Sequence, residues 1–316
     1  MSDLTLRPIT GRAELDLFRT LTYVLDDELA DDLDAGRRHP EWMWLALRDG
    51  RPVARLSWWS RPGAEAPALL DVFDLADGTS PEVGARLFTT AAAAVLTGPT
   101  PPEYIRYVPG DWHDDPAARQ AVGARIAALE LTGARPLVER LRLEWRPGTP
   151  ISPPTGRLAF RPVAGRDELV TMMAEVLDGT LDAHGRADLT RMTPAEAAGN
   201  QYDDEFAGYS TPREWWTVAT LPDGEPVGFV IPAHNGYNPI VAYIGVRPAH
   251  RGRGHIDEIL AEGTRILAAQ EVPRIRASTD VGNRPMAAAF ARAGWVNFER
   301  AINLTWDRPP ATGTPA

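Results

Sequence analysis

The stretch Val246-Arg247-Pro248-Ala249-His250-Arg251-Gly252-Arg253-Gly254-His255-Ile256 decides how this chain is read. It follows an apolar, strand-like run, Pro239-Ile240-Val241-Ala242-Tyr243-Ile244-Gly245, and leads into a run with helical spacing from Asp257 to Gln270. A strand, a turn rich in glycine and arginine, and a helix start together offer a row of unpaired backbone N–H groups to an anion. The glycines allow close backbone approach and the arginines add positive charge. The segment therefore reads as a cradle for a diphosphate. It is not a dinucleotide fingerprint, because Asp257 stands where G-x-G-x-x-G needs its last glycine.

The rest of the composition narrows the chemistry. The chain has 316 residues, a length that favours two domains. Its formal net charge of −10 argues against a general nucleic-acid binder. Cysteine is absent, which removes disulfides, thiolate metal sites and a cysteine nucleophile. Lysine is absent too, so a Walker loop and Schiff-base chemistry are excluded. No metal site is expected. The N-terminal residues Met1-Ser2-Asp3-Leu4-Thr5 lack a basic region with an apolar core, and no apolar run is long enough to span a bilayer. A cytoplasmic protein with no membrane partner is expected.

The chain repeats itself. Leu4-Thr5-Leu6-Arg7-Pro8-Ile9-Thr10-Gly11-Arg12-Ala13-Glu14-Leu15 aligns with Leu158-Ala159-Phe160-Arg161-Pro162-Val163-Ala164-Gly165-Arg166-Asp167-Glu168-Leu169. Glu41-Trp42 before Asp49-Gly50 aligns with Glu214-Trp215 before Asp223-Gly224, and Glu139-Arg140 with Glu299-Arg300. Order and spacing are kept, as a tandem duplication requires. The proline-rich segment Pro147-Gly148-Thr149-Pro150-Ile151-Ser152-Pro153-Pro154-Thr155-Gly156 disfavours regular structure. This predicts domains at 1–147 and 157–316 about a linker at 148–156. Each half reads β-α-α-β-β-β-α-β-α-β, with a polar stretch at 178–209 and a hairpin about Asp223-Gly224.

Val246, Pro248, Arg251, Gly252 and Gly254, followed by Asn283 and Met286 and then Gly294-Trp295, form a pattern that resembles the GNAT superfamily of N-acetyltransferases. The resemblance covers the second half. With the repeat, it implies an α/β fold of two tandem domains, each a mostly antiparallel mixed sheet flanked by helices. It implies acetyl-CoA as acyl donor, held by Arg251, Gly252, Arg253, Gly254, His255 and Ile256 at its diphosphate. It implies that the backbone of Ile244, Gly245 and Val246 pairs with the pantetheine arm, and that Asn283 touches the lower part of CoA. Two positions depart from the family pattern. Ile256 replaces the usual glycine or alanine, and Phe290 replaces the tyrosine that commonly protonates the departing thiolate.

Tyr243 is the first candidate to take over as proton donor, ahead of His255 and Tyr237. No carboxylate stands on the central strand, so a base for an ammonium acceptor is sought in Gln201-Tyr202-Asp203-Asp204-Glu205-Phe206. There Glu205, with Tyr202, Asp204 and Tyr209, would surround a cationic acceptor; a solvated helix face explains the same acidic run. His184 and His234 read as ordinary loop histidines. In the first half, Thr79-Ser80-Pro81-Glu82-Val83-Gly84 aligns with the cradle. Proline removes a donor and glutamate repels phosphate, so this half is expected to keep the fold without binding CoA. Three readings stay open: acyl transfer to a small-molecule amine, acyl transfer to a hydroxyl, and non-catalytic acyl-CoA binding. Without cysteine, any transfer is direct attack in a ternary complex. A monomer and a homodimer are both compatible with the sequence.

Overall fold

The computed structural model of the chain describes residues 4–306. They divide into two compact units, one of residues 4–139 with 300–306 and one of Arg140–Glu299. The first unit contains β1 (Leu4–Pro8), α1 (Leu15–Phe18), α2 (Leu29–Asp34), β2 (Met43–Arg48), β3 (Arg51–Trp59), β4 (Leu69–Leu75), α3 (Pro81–Val95), β5 (Tyr104–Pro109), α4 (Pro116–Glu130) and the start of β6 (Arg135–Trp145). The second contains the rest of β6, β7 (Ala159–Pro162), α5 (Arg166–Val176), α6 (Ala183–Asp188), α7 (Pro194–Asp204), β8 (Thr217–Thr220), β9 (Pro226–His234), β10 (Pro239–Val246), α8 (His255–Ala268), β11 (Ile275–Asp280), α9 (Arg284–Arg292) and the start of β12 (Val296–Thr305).

The first unit's strands run in the order β1-β2-β3-β4-β5-β12, and the second unit's in the order β6-β11-β10-β9-β8-β7. In both, the one parallel step joins the strand before the long helix to the strand after it: β4 with β5, and β10 with β11. Each is therefore a mixed, mostly antiparallel sheet with helices packed on it. The strand ends differ from the sequence boundaries. Residues 140–147, read as the end of the first domain, pack in the second unit; 300–306, read as part of the second, pack in the first. Residues 1–3 and 307–316 of the expected domains lie outside the described residues.

Alternation along the strands explains why both faces are covered. On β2, Met43, Leu45 and Leu47 pack with Leu15, Phe18 and Leu29 from α1 and α2, while Trp44 and Ala46 pack with Leu87, Phe88 and Ala91 from α3. On β9, Phe229 and Ile231 meet Met172 and Met173 of α5, whereas Val227 and Val230 meet Ile259 and Leu260 of α8. Gly263 lets α8 lie close on β9, because a Cβ there would come within 2.6 Å of Val230.

The repeat recurs as geometry. Arg7 holds Glu14 at 2.7 Å and Arg161 holds Glu168 at 2.5 Å, and in each case the carboxylate also accepts a backbone N–H, from Thr10 and Ala164 respectively, at 2.7 Å. The first half has the expected element order. The second half has a further helix, because the polar stretch at 178–209 folds into α6 and α7. Asp182 caps α6 by accepting the N–H of Gly185 at 2.8 Å, and Thr193 with Glu196 forms a capping box on α7. Residues 148–156 have no helix or strand, and Ser152 O accepts from Arg265 of α8 at 3.1 Å.

Candidate functional site

The site grows from the open edge of β10. On one side β10 pairs with β9 along its length, with Ile244 opposite Val230, Gly245 opposite Phe229 and Val246 opposite Gly228. On the other side it pairs with β11 only at Ile240–Arg276, then diverges. A bulge between Val241 and Tyr243 re-aims the strand at that point. The divergence leaves backbone groups of residues 241–246 facing a cavity of about 420 Å³. Its lining includes Val176, Thr180, Asp182, Tyr243, Ile244, Gly245, Val246, Arg251, Gly254, His255, Ile256, Asn283 and Phe290.

At the end of β10 the chain turns through Gly252 and Gly254, both left-handed with φ of 77° and 75°, into α8. No backbone or side-chain acceptor among the described residues takes the N–H groups of Gly252, Arg253, Gly254, His255 or Ile256. These donors, with the positive end of a 14-residue helix behind them, are groups that could hold an anion. The residues fit a diphosphate: the left-handed glycines keep side chains off the approach, and nothing lies within 4 Å of a Cβ built on Gly252.

Residues 185–295 match the family model of the Acetyltransferase (GNAT) family. This segment is similar to GNAT acetyltransferase domains. A GCN5-related N-acetyltransferase from Sphaerobacter thermophilus is similar over 99% of this chain and 98% of its own, at 17% identity and a TM-score of 0.60. A tandem GNAT protein from the clavulanic acid biosynthesis pathway is similar over 97% of this chain and 99% of its own, at 16% identity and a TM-score of 0.52. These likenesses establish the fold. No curated protein matches the chain. The family match supports acyl transfer as a reaction class.

Within this segment, the expected CoA residues other than Arg253 line one cavity, but Arg251 is engaged differently from the expectation. Its guanidinium donates to Val246 O at 3.1 Å, Asp178 O at 2.6 Å and Val176 O at 2.8 Å. It ties the cradle to the carbonyl end of α5, where a cation is favoured. Arg253 is exposed, and its guanidinium has no ion pair among the described residues. Asn283 caps α9 by accepting from Met286 N at 3.3 Å while lining the cavity. Phe290 is buried edge-on against Trp295, with ring centroids 5.1 Å apart, and offers the cavity a hydrocarbon wall.

Tyr243 packs against Phe229 and Phe206 and lines the same cavity. Burial, reinforced by the charge of Asp182, pushes its hydroxyl well above the usual tyrosine value, so it stays protonated through neutral pH. Glu205 is not among the cavity residues; its carboxylate accepts from Tyr209 at 2.6 Å. Asp203 pairs with Arg166 on the surface at 2.6 Å. The acidic run is thus held by local partners, away from the cavity. His234 accepts from Gly236 N at 3.1 Å in its own loop.

Two groups were not anticipated from sequence. Arg157 reaches across to the cradle, donating to the carbonyls of Arg253 at 3.3 Å and Gly254 at 3.5 Å, and to Glu258 of α8 at 2.8 Å. Drawing these carbonyls toward one side turns the attached peptide N–H groups toward the other. We expect Arg157→Met to weaken acetyl-CoA binding about tenfold, the scale of losing hydrogen bonds from a charged donor, with no change in fold. Titration calorimetry measures it, and an unchanged Kd would show that the loop holds itself. The second group is acidic. Asp182 lines the cavity, and Asp280 at the end of β11 pairs with Arg140 at 3.1 Å and accepts Ala183 N at 2.6 Å. Burial, followed by the charge of Asp182, raises the Asp280 carboxyl above its usual range. Only long-range packing brings these side chains together, so no local motif announces them.

The corresponding strand edge in the first unit is covered, beside a cavity of about 490 Å³ lined by Thr22, Arg106, Val122 and Arg125 among others. Arg125 of α4 donates to Phe73 O at 3.1 Å and to Asp74 at 3.0 Å, covering the edge of β4 that aligns with Gly245 and Val246. At the start of α3, Glu82 bonds its own backbone N–H and Ser80, and these bonds hold its carboxyl below the usual range. Among the described residues, no helix is long and apolar enough to cross a membrane, and no cluster of metal-ligating side chains occurs.

Proposed function

We propose that the second unit transfers an acetyl or other short acyl group from acetyl-CoA to the amine of a small molecule, by direct attack in a ternary complex. The observation that carries this reading is the run of unpaired N–H donors from Gly252 to Ile256 at the end of a strand whose outer edge is free. Acetyl-CoA would supply a thioester carbonyl and a thiolate leaving group. Ile244, Gly245 and Val246 would offer strand-like hydrogen bonds to its pantetheine arm, and the cradle would hold its diphosphate.

An amine acceptor is supported by charge. Asp182 at the cavity wall and Asp280 behind it share the one guanidinium of Arg140, while the Arg251 guanidinium on the same cavity is turned to carbonyl oxygens, so the Asp182 end would favour a cation. Asp182 is the carboxylate at the cavity wall and would hold the ammonium and, directly or through water, receive its proton. Tyr243 would donate a hydrogen bond to developing negative charge. Its raised pKa makes it a stabilising donor in preference to a full proton source. The first unit would serve as scaffold without donor binding, and the protein would be cytoplasmic.

The test is acetyl-CoA-dependent thiol release across a panel of small amines and matched alcohols. Turnover confined to amines is the expected result. Turnover on alcohols alone would assign O-acyl transfer, and binding of acetyl-CoA with a silent panel would favour the non-catalytic reading. For Tyr243→Phe, kcat should fall between about tenfold and a hundredfold with little change in KM. Unchanged turnover would remove Tyr243 from the mechanism.

A further inference from the structure

His255 occupies the first turn of α8, inside the cradle, and is only 7% exposed. It lines the cavity, and its ring makes no hydrogen bond to the protein; Nδ1 is sealed from solvent and unpaired. A buried polar ring without a partner is rare, and in a binding site the missing partner is commonly the ligand. The neighbouring His250 also lines the cavity with Nδ1 buried and unpaired, but its other nitrogen is held. His250 has Nε2 against Glu225 at 3.1 Å, and the two rings sit 6.2 Å apart.

We propose that the His255 imidazole is a direct ligand of the donor's diphosphate and that it takes up a proton when the diphosphate binds. The inference rests on the acetyl-CoA reading above and adds a side-chain anchor to its backbone cradle. The chemistry follows from what faces the ring. Arg157 approaches from the segment before β7, Arg253 and His250 from the loop, and Glu258 from α8. Burial first, then Arg157 and His250, hold His255 below the usual histidine value, with Glu258 opposing. A diphosphate brings two negative charges to the same turn and reverses that balance, favouring the imidazolium. The sign is fixed: affinity rises as pH falls through the bound-state pKa and levels off below the free-state pKa.

The probe is dephospho-CoA, whose diphosphate keeps its charge across this window and which lacks a titrating terminal phosphate. Calorimetry at pH 6 and pH 8, in two buffers of different ionisation enthalpy and without phosphate, reads affinity and proton uptake together. We expect net proton uptake, and binding about tenfold tighter at pH 6, the effect of one pKa unit. His255→Asn should bind at pH 8 within about threefold of wild type and lose the pH dependence; His255→Gln serves if the asparagine variant melts early. His250→Gln should keep the pH dependence. Binding that is pH-independent without proton uptake in the wild type, or a pH dependence that survives His255→Asn, overturns the assignment while leaving the cradle intact. No binding at either pH removes the acetyl-CoA reading and this inference with it.

Discussion

A chain ending at residue 147 does not form a cooperatively folded first unit. The sequence boundary would cut there, yet the sheet of that unit is completed on its β5 side by β12. Ile302 and Leu304 are buried in the first unit's core with Trp58, Leu70 and Tyr104. Trp306 stacks on Phe88 with centroids 4.8 Å apart and donates its indole N–H to Thr132 at 3.0 Å. Asn303 reaches Glu103 on the lead into β5. Truncation removes all of these and leaves β5 with an unpaired edge. In the full chain, Leu304→Ala alone should cost about 2–5 kcal/mol, the range for emptying a buried leucine site. A domain is stable by only about 5–15 kcal/mol, so losing the whole segment should leave residues 1–147 without native tertiary packing. Near-UV circular dichroism and urea unfolding of the fragment decide it. A native-like spectrum with a cooperative transition would show that residues 4–139 suffice.

Gly254→Glu abolishes acetyl-CoA binding, with affinity falling about a hundredfold or more. Two effects add. Gly254 holds φ at 75°, a conformation that costs a side-chain-bearing residue about 1–2 kcal/mol. The new carboxylate also stands at the positive end of α8, where it competes with the diphosphate for the same donors. Gly254→Ala separates them, since it carries the strain without the charge; about tenfold weaker binding is expected from it. Calorimetry on both variants, with far-UV circular dichroism to confirm folding, makes the comparison. Unchanged affinity in Gly254→Glu would remove the cradle from the donor site.

Much of the donor site was legible because it is local. A left-handed turn needs glycine, a helix start leaves free N–H groups, and both requirements fall within the eleven residues from Val246 to Ile256. The same logic sets Pro81 and Glu82 against a cradle at the aligned place, where the Glu82 carboxyl is held low by its own backbone N–H and by Ser80. The capping box Thr193-Pro194-Ala195-Glu196 was legible too, and reading it would have turned part of the polar stretch into α7. Arg251 marks the limit of such reading. A guanidinium in a phosphate motif is ambiguous until its acceptors are known, and here they are carbonyls near the end of α5, about seventy residues earlier in the chain.

The acceptor side follows the opposite rule. Glu205 stands in an acidic run of the sequence, and its carboxylate accepts from the Tyr209 hydroxyl outside the cavity lining. Asp182, Asp280 and Arg140 come from three separated segments, and only packing assembles them. By itself, the sequence determined the element order of the first half, the Arg–Glu pair that recurs in both halves, and the left-handed glycine turn before α8. These depend on turn geometry and side-chain period, which neighbouring residues dictate. Only the tertiary structure decided which strand ends complete each sheet, that Arg157 donates to the carbonyls of Arg253 and Gly254, and that Asp182 and Asp280 share Arg140. Strand partners and long arginine side chains are chosen by burial and hydrogen bonding across large sequence separations, where local pattern carries no signal.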